Sequence, residues 1–304
     1  MTSYPRDGVD GEMLMRHADQ AMYIAKQNGK NCYHLFDVEK DVVVQSQREK
    51  IEQLQNALTA GDLELYYQPK VNIRTNEVVG LEALIRWNHA ELGVLAPALF
   101  LPLVEHHQLG IAIGEWVINS ALKQMCSWQQ QQLRIPVSVN VGPLQLQQKN
   151  FSEKLHEILE RYPQLPAGSL ELEILESSAM QDMHDAANVM HVCRAHGVQF
   201  ALDDFGTGYS SLNYLKHLPV DTVKIDKSFV RDMLSDPDDL AIVSGVIGLA
   251  TAFSRSIVAE GVETRQHAER LLEMGCYVVQ GYGIARPMPA PTVIDWVSQW
   301  KGFK

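Results

Sequence analysis

Phe200-Ala201-Leu202-Asp203-Asp204 is an apolar run that breaks off in two carboxylates, and five other stretches share its form. Val137-Ser138-Val139-Asn140, Leu170-Glu171-Leu172-Glu173, Thr222-Val223-Lys224, Ile257-Val258-Ala259-Glu260 and Tyr277-Val278-Val279-Gln280 each end in a polar or charged residue. All are short, rich in β-branched residues and separated by helix-like segments, the pattern of βα units laid into a parallel sheet. Recurring along the second half of the chain, they read as strands of a closed barrel whose C-terminal ends face one shared cavity. The residues that end the runs are therefore the candidates for chemistry.

Upstream, the strand-like runs Leu63 to Ile73 and Glu77 to Trp87 are separated only by Arg74-Thr75-Asn76. Such a link joins antiparallel neighbours, because a parallel crossover needs about a dozen residues or more. The expected architecture is thus an α/β fold, a TIM-like (β/α)8 barrel with an antiparallel first strand, preceded by a short N-terminal helical remnant. In that remnant Met13, Met15, Ala18, Ala21, Met22 and Ala25 recur at helical spacing between Gly11 and Asn28. A polar helix follows from Val43 to Ala60, with Ile51, Leu54 and Leu58 on one stripe and Gly61 as its stop.

With 304 residues, 46% of them hydrophobic, the chain can bury one barrel of ordinary size plus a fragment of something else. Leu240 to Phe253 is the longest apolar stretch and is too short to span a bilayer, and no signal pattern precedes Asp7. A cytoplasmic location is expected, with a longer parent chain left free to be membrane-anchored. Cys32, Cys126, Cys193 and Cys276 form no C-x-x-C pair, which speaks for free thiols rather than disulfides or a thiolate zinc site. A net charge of −11 argues against a DNA or RNA polymer as partner. It leaves room for a small anionic ligand, because bound cations reverse the local sign.

Glu82, Asn140, Glu173, Asp203, Asp204 and Glu260 are all oxygen donors, suited to Mg²⁺ or Mn²⁺. One carboxylate of the Asp203-Asp204 pair can bridge two ions about 3.5–4 Å apart, the spacing used for displacement at phosphorus; the plain alternative is that the pair caps a turn. Seven carboxylates (Glu82, Glu173, Glu176, Asp203, Asp204, Glu260, Glu263) face two cations, Arg86 and Lys224, in this set. A surplus of five negative charges in one cavity is costly without bound cations, unless some carboxylates protonate. Lys224 is a candidate for holding an attacking water, against an ion pair with Asp226 or another carboxylate, or an aldolase-type Schiff base. Arg86, four residues after Glu82 on the same strand face, can grip a phosphate or form a structural salt bridge. Gly206-Thr207-Gly208 permits a tight loop but lacks the Walker Gly-Lys-Ser/Thr. The spacings of His184, His191 and His196 do not suit zinc. Tyr282 either stacks on a base or packs in the core.

From about Val44 to Lys304 the chain resembles the EAL family of cyclic-di-GMP phosphodiesterases. Glu82-Ala83-Leu84 lies within Glu82-x-Leu84-x-Arg86, and Tyr67-Gln68-Pro69, Asn140, Glu173-Ile174-Leu175-Glu176-Ser177, Asp203-Asp204-Phe205-Gly206-Thr207-Gly208, Val223-Lys224-Ile225-Asp226, Glu260-Gly261-Val262-Glu263 and Gln280-Gly281-Tyr282 follow the family's order. The resemblance implies hydrolysis of cyclic-di-GMP to linear pGpG, with two Mg²⁺ or Mn²⁺ ions per active site on Glu82, Asn140, Glu173, Asp203, Asp204 and Glu260. It implies that Lys224 assists the water, with Glu260 as a base where it is not a direct ligand. Gln68, Leu84, Arg86, Glu263 and Gln280 would line the substrate site, while Glu176 fastens the loop of Phe205, Gly206, Thr207 and Gly208 and couples it to a homodimer interface. Val141-Gly142, where the family often has Leu-Ser, and Ile284-Ala285 depart from the pattern without touching a ligand. A receptor that binds cyclic-di-GMP without cleaving it is the alternative. Glu12 to Asp37, with Arg16-His17-Ala18-Asp19-Gln20-Ala21-Met22-Tyr23 and Gly29-Lys30-Asn31, resembles the C-terminal end of a GGDEF domain without its signature loop. The expected division is a GGDEF remnant and linker at 1–42 and the phosphodiesterase barrel at 43–304, cut from a parent with an upstream GGDEF and sensor domains.

Overall fold

The computed structural model describes residues 11–27, 38–177, 183–207 and 215–303. Two compact units divide after Asn56. The first contains the helix Gly11–Gln27 and most of the helix Val38–Ala60; Asn28, the expected end of the first helix, lies outside the described residues. The latter starts five residues before the expected Val43, since Val38 to Val42 contains neither glycine nor proline to stop it. It ends where expected: Gly61 adopts φ +86° and its N–H returns to Ala57 O. Gly29-Lys30-Asn31 and Cys32 lie outside the described residues.

The second unit is a closed barrel. Its strands are β1 (Leu63–Asn72), β2 (Glu77–His89), β4 (Val137–Asn140), β5 (Leu170–Leu175), β6 (Gln199–Phe205), β7 (Thr222–Ile225), β8 (Ser256–Ala259) and β9 (Val278–Val279), with β3 (Gly93–Leu95) and β10 (Met288–Pro289) as short additions at the edge. From β2 through β4 to β9 each neighbouring pair is parallel. β1 closes the ring antiparallel to both β2 and β9. The tight link after β1 explains the reversal: Asn72 Oδ1 accepts the N–H groups of Arg74 and Thr75, and Asn76 takes φ +58°. Helices Gln108–Gln130, Phe151–Leu159, Met183–Ala195, Pro237–Ala252 and Arg265–Glu273 occupy the crossovers.

Strand alternation divides the side chains between two environments. On β5, Leu170, Leu172 and Ile174 are buried on the side away from the barrel axis, with Phe200 and Leu202 of β6 and Val223 and Ile225 of β7. Tyr67 shows the same outward direction on β1, meeting Trp128 of helix Gln108–Gln130 edge-on at 4.6 Å. The intervening residues face the interior, and most of them are polar, among them Gln68, Glu171, Glu173, Asp203, Thr222 and Lys224. This apolar shell holds the candidate site residues in place.

Candidate active site

Register brings the interior residues level with one another. Because β1 runs backwards, Gln68 lies opposite Glu82, and Lys70 sits one layer deeper opposite Gly80. Asn140 pairs with Glu173 across β4 and β5. The side chains then join. Asn140 Nδ2 donates to Glu82 Oε1 at 2.9 Å, Gln280 Nε2 donates to Glu82 Oε2 at 2.6 Å and to Gln68 Oε1 at 3.0 Å, and Gln68 Nε2 donates to Ala285 O.

At the centre stands Lys224, fully buried on β7. Its ammonium lies 2.6 Å from Glu260, 2.7 Å from Glu173, 3.2 Å from Asp203 and 3.8 Å from Glu82. Of the ion-pair alternatives open in the sequence, the neighbouring carboxylates are realised. Asp226 instead caps the helix Lys227–Asp232 through Ser228 N. Burial alone would lower the Lys224 pKa, yet Asp203, Glu173, Glu260 and Glu82 outweigh it and hold the ammonium well above its ordinary value. A lysine so stabilised in its charged form has no free amine for a Schiff base, which removes the aldolase reading.

Asp203 and Asp204 would point to opposite faces of a regular strand. Here the β6–β7 register slips between Leu202 and Phe205, and Asp204 adopts φ +54°. That left-handed kink, roughly 1 kcal/mol of backbone strain for an ordinary residue and less for aspartate, turns both carboxylates to one place. One oxygen each from Asp203, Asp204 and Glu260 lies within 4.8 Å of the others. The turn is secured by Asp204 N donating to Asp203 Oδ1 and by Thr207 Oγ1 donating to Asp204 O.

This donor set fits a hard divalent cation. It is all oxygen, and its charge is undercompensated. Burial first, and then like charges, push Glu82 up to about 7, Asp204 to about 6 and Glu260 to about 8. Burial likewise raises Asp203. For Glu173 the penalty of burial is outweighed by Lys224 and Lys70, which hold its carboxyl below the usual range.

The expected tally of seven carboxylates against two cations needs correction. Glu263 is exposed. Glu176 is buried on its own, accepting from Gly206 N at 3.2 Å with its second oxygen unpartnered. Arg86 stands half-buried at the rim, donating to Ile85 O and lying 5.3 Å over the Tyr66 ring. Two residues overlooked in the sequence enter instead: Lys70 bonds Glu173 and Glu171 at 2.8 Å each. Their signal was the two-residue spacing from Gln68 and Glu173 on inward strand faces. Six interior carboxylates thus meet two ammoniums. Of the remaining site candidates, Leu84 is half-buried, Phe205 is buried, and Gly208 lies outside the described residues. Tyr282 is 57% exposed under the Arg286 guanidinium, so it does not pack in the core. His184, His191 and His196 are exposed.

The family model described as EAL domain matches residues 51–287. The chain belongs to the EAL family. It is 40% identical over 296 residues to the bifunctional diguanylate cyclase/cyclic di-GMP phosphodiesterase MucR of Pseudomonas aeruginosa, covering 97% of this chain and 43% of that protein. The cyclic di-GMP phosphodiesterase PA2567 of the same organism is 36% identical over 77% of this chain and 40% of its own length. The EAL chain thus spans less than half the length of these curated relatives. Among solved structures, the PaMucR phosphodiesterase in complex with c-di-GMP superposes with a TM-score of 0.77 at 40% identity, covering 81% of this chain and 99% of that one. This EAL barrel therefore matches a solved relative in fold as well as in sequence.

Proposed function

We propose that this chain hydrolyses one phosphodiester bond of cyclic-di-GMP to give linear pGpG, using two Mg²⁺ or Mn²⁺ ions. The observation that carries the reading is the convergence of Asp203, Asp204 and Glu260 beside the buried Lys224, in a family whose relatives are named for this activity. Glu82, Asn140, Glu173, Asp203, Asp204 and Glu260 would hold the ions. When bound, the ions would lower the pKa of the attacking water and neutralise the phosphoryl oxygens. Four opposite charges would match the excess of six carboxylates over two ammoniums.

The protein's own groups divide the remaining work. In the metal-free site four carboxylates hold the Lys224 ammonium well above its ordinary value, and as an ammonium it would donate a hydrogen bond to water or phosphoryl oxygen. Glu260, pushed up to about 8 in the metal-free site and 2.6 Å from Lys224, would act as the base where it is not a ligand. Arg86 would grip the phosphate, while Gln68, Leu84, Glu263 and Gln280 line the nucleotide. Water supplies hydroxyl to phosphorus, the bond to the 3′ oxygen breaks, and that oxygen leaves with a proton. The bond from Gly206 N to Glu176 supports a role for Glu176 in fastening the loop of Phe205, Gly206, Thr207 and Gly208, and through it a homodimer.

In the same reading, residues 1–42 end a GGDEF domain and 43–304 form the phosphodiesterase of a longer cytoplasmic or membrane-anchored parent with upstream sensor domains. Among the described residues no helix is long and apolar enough to cross a membrane. Incubation with cyclic-di-GMP and Mn²⁺, followed by chromatography, tests the activity. pGpG should accumulate, and EDTA should stop it; nucleotide binding without pGpG would replace the proposal with a receptor function.

A further inference from the structure

A second buried ammonium lies beneath the carboxylate cluster. Lys70 is 5% exposed, and its Nζ stands 2.8 Å from Glu173 Oε1 and 2.8 Å from Glu171 Oε2. Lys224 takes the other oxygen of Glu173, Oε2, at 2.7 Å. Glu173 therefore bridges two lysines, one oxygen to each. Glu171 is fixed in turn by Thr222 Oγ1 at 2.7 Å, and Thr222 lies two residues before Lys224 on β7. The result is a closed circuit through β1, β5 and β7: Lys70 to Glu171, Glu171 to Thr222, along the strand to Lys224, and back through Glu173.

A buried lysine needs a counter-ion, and Glu171 alone supplies one. The second contact does something more specific. It occupies the Glu173 oxygen that points away from the cluster, which fixes the orientation of the oxygen that points toward it. Glu173 cannot rotate about its terminal bond without breaking one of two charge-assisted hydrogen bonds.

We propose that Lys70 is a positioning residue of the hydrolytic site, holding Glu173 so that its second oxygen faces Lys224 and the Asp203–Glu260 cluster. The inference rests on the phosphodiesterase reading for its kinetic consequence and on geometry alone for the rest. Partners of this outer kind typically change metal affinity or activity by about 10–100-fold when removed.

The test compares the unaltered chain with Lys70→Met and with Lys70→Met/Glu171→Gln. In the double variant the charge is balanced again and Thr222 keeps its acceptor, so only the grip on Glu173 is missing. That variant should melt with the parent and keep its KM for cyclic-di-GMP. Its kcat should fall at least about tenfold, and Mn²⁺, titrated without nucleotide, should bind at least about tenfold more weakly. Return of both quantities to parental values in the double variant would reduce Lys70 to a charge balance and overturn the proposal, as would parental values in Lys70→Met.

Should the variants fail to fold, ¹⁵N spectra of lysine-labelled parent decide. The Lys70 ammonium, assigned through its contacts to Glu171 and Glu173, should shift on Mg²⁺ addition together with that of Lys224. Indifference of Lys70 to Mg²⁺ overturns the inference. A parent that binds Mn²⁺ but forms no pGpG condemns the phosphodiesterase reading, and the metal and spectral measurements still judge Lys70.

Discussion

Lys224 is the residue on which the interior charges balance. Removing one partner of a buried ion pair leaves the other uncompensated, at about 3–5 kcal/mol, and here four carboxylates share the loss. Lys224→Met should therefore lower the melting temperature of the metal-free protein sharply and recover much of it on Mn²⁺ addition, while turnover stays lost. Differential scanning fluorimetry with and without Mn²⁺ measures both; a variant as stable as the parent without metal would contradict the balance described. Glu82→Ala or Asp203→Ala should abolish turnover at least about a hundredfold, the scale expected when a first partner of the ion or phosphate goes, and near-normal pGpG release would refute either assignment.

The same carboxylates set a pH dependence. Glu82, Asp204 and Glu260 sit at about 7, 6 and 8 when folded, above their unfolded values. Between those limits the folded chain binds more protons than the unfolded one, so stability falls as pH rises from about 5 to 8. Glu173 is shifted the other way, and its contribution is lost only in acid, below its ordinary range. Metal-free protein should melt lower at pH 8 than at pH 6, and Mn²⁺ should narrow the gap. A melting temperature that rises over this window would show the sign to be wrong.

At the scale of elements, the loops after β8 and β9 are tied to each other by backbone hydrogen bonds. Val262 N donates to Gln280 O, and Gly283 N donates to Val262 O. A Cβ at Gly281 would come within 2.2 Å of Val262 O and 2.3 Å of Val262 N. Gly281→Ala should thus cost about 3 kcal/mol, the upper range of overpacking, and displace Gln280 and Glu260 together; an unchanged denaturant midpoint would rule this out. The strands themselves were readable in the sequence, because β-branched runs ending in a charge announce both the sheet and its functional edge. The reversal of β1 was readable from the three-residue link at Arg74-Thr75-Asn76. The kink at Asp204 was not. Nothing in two adjacent aspartates distinguishes a turn cap from a bulge that turns both to one side, since that outcome depends on the partner strand. Lys70 and Glu171 were missed for a related reason: they lie on the right strand face, yet their depth in the barrel depends on register, which β1 acquires only by running backwards.

For the whole molecule, that reversal governs how the structure can be made. β1 pairs at one edge with β2, a few residues away, and at the other with β9, Val71 lying beside Val279. The early hairpin can form as soon as it leaves the ribosome, but its free edge must wait for nearly the whole chain before it finds a partner. Contacts this distant in sequence are slow to form, and an unpaired strand edge invites other chains in the meantime. Nascent EAL barrels should accordingly expose their first strand to chaperones until the final crossover has been synthesised.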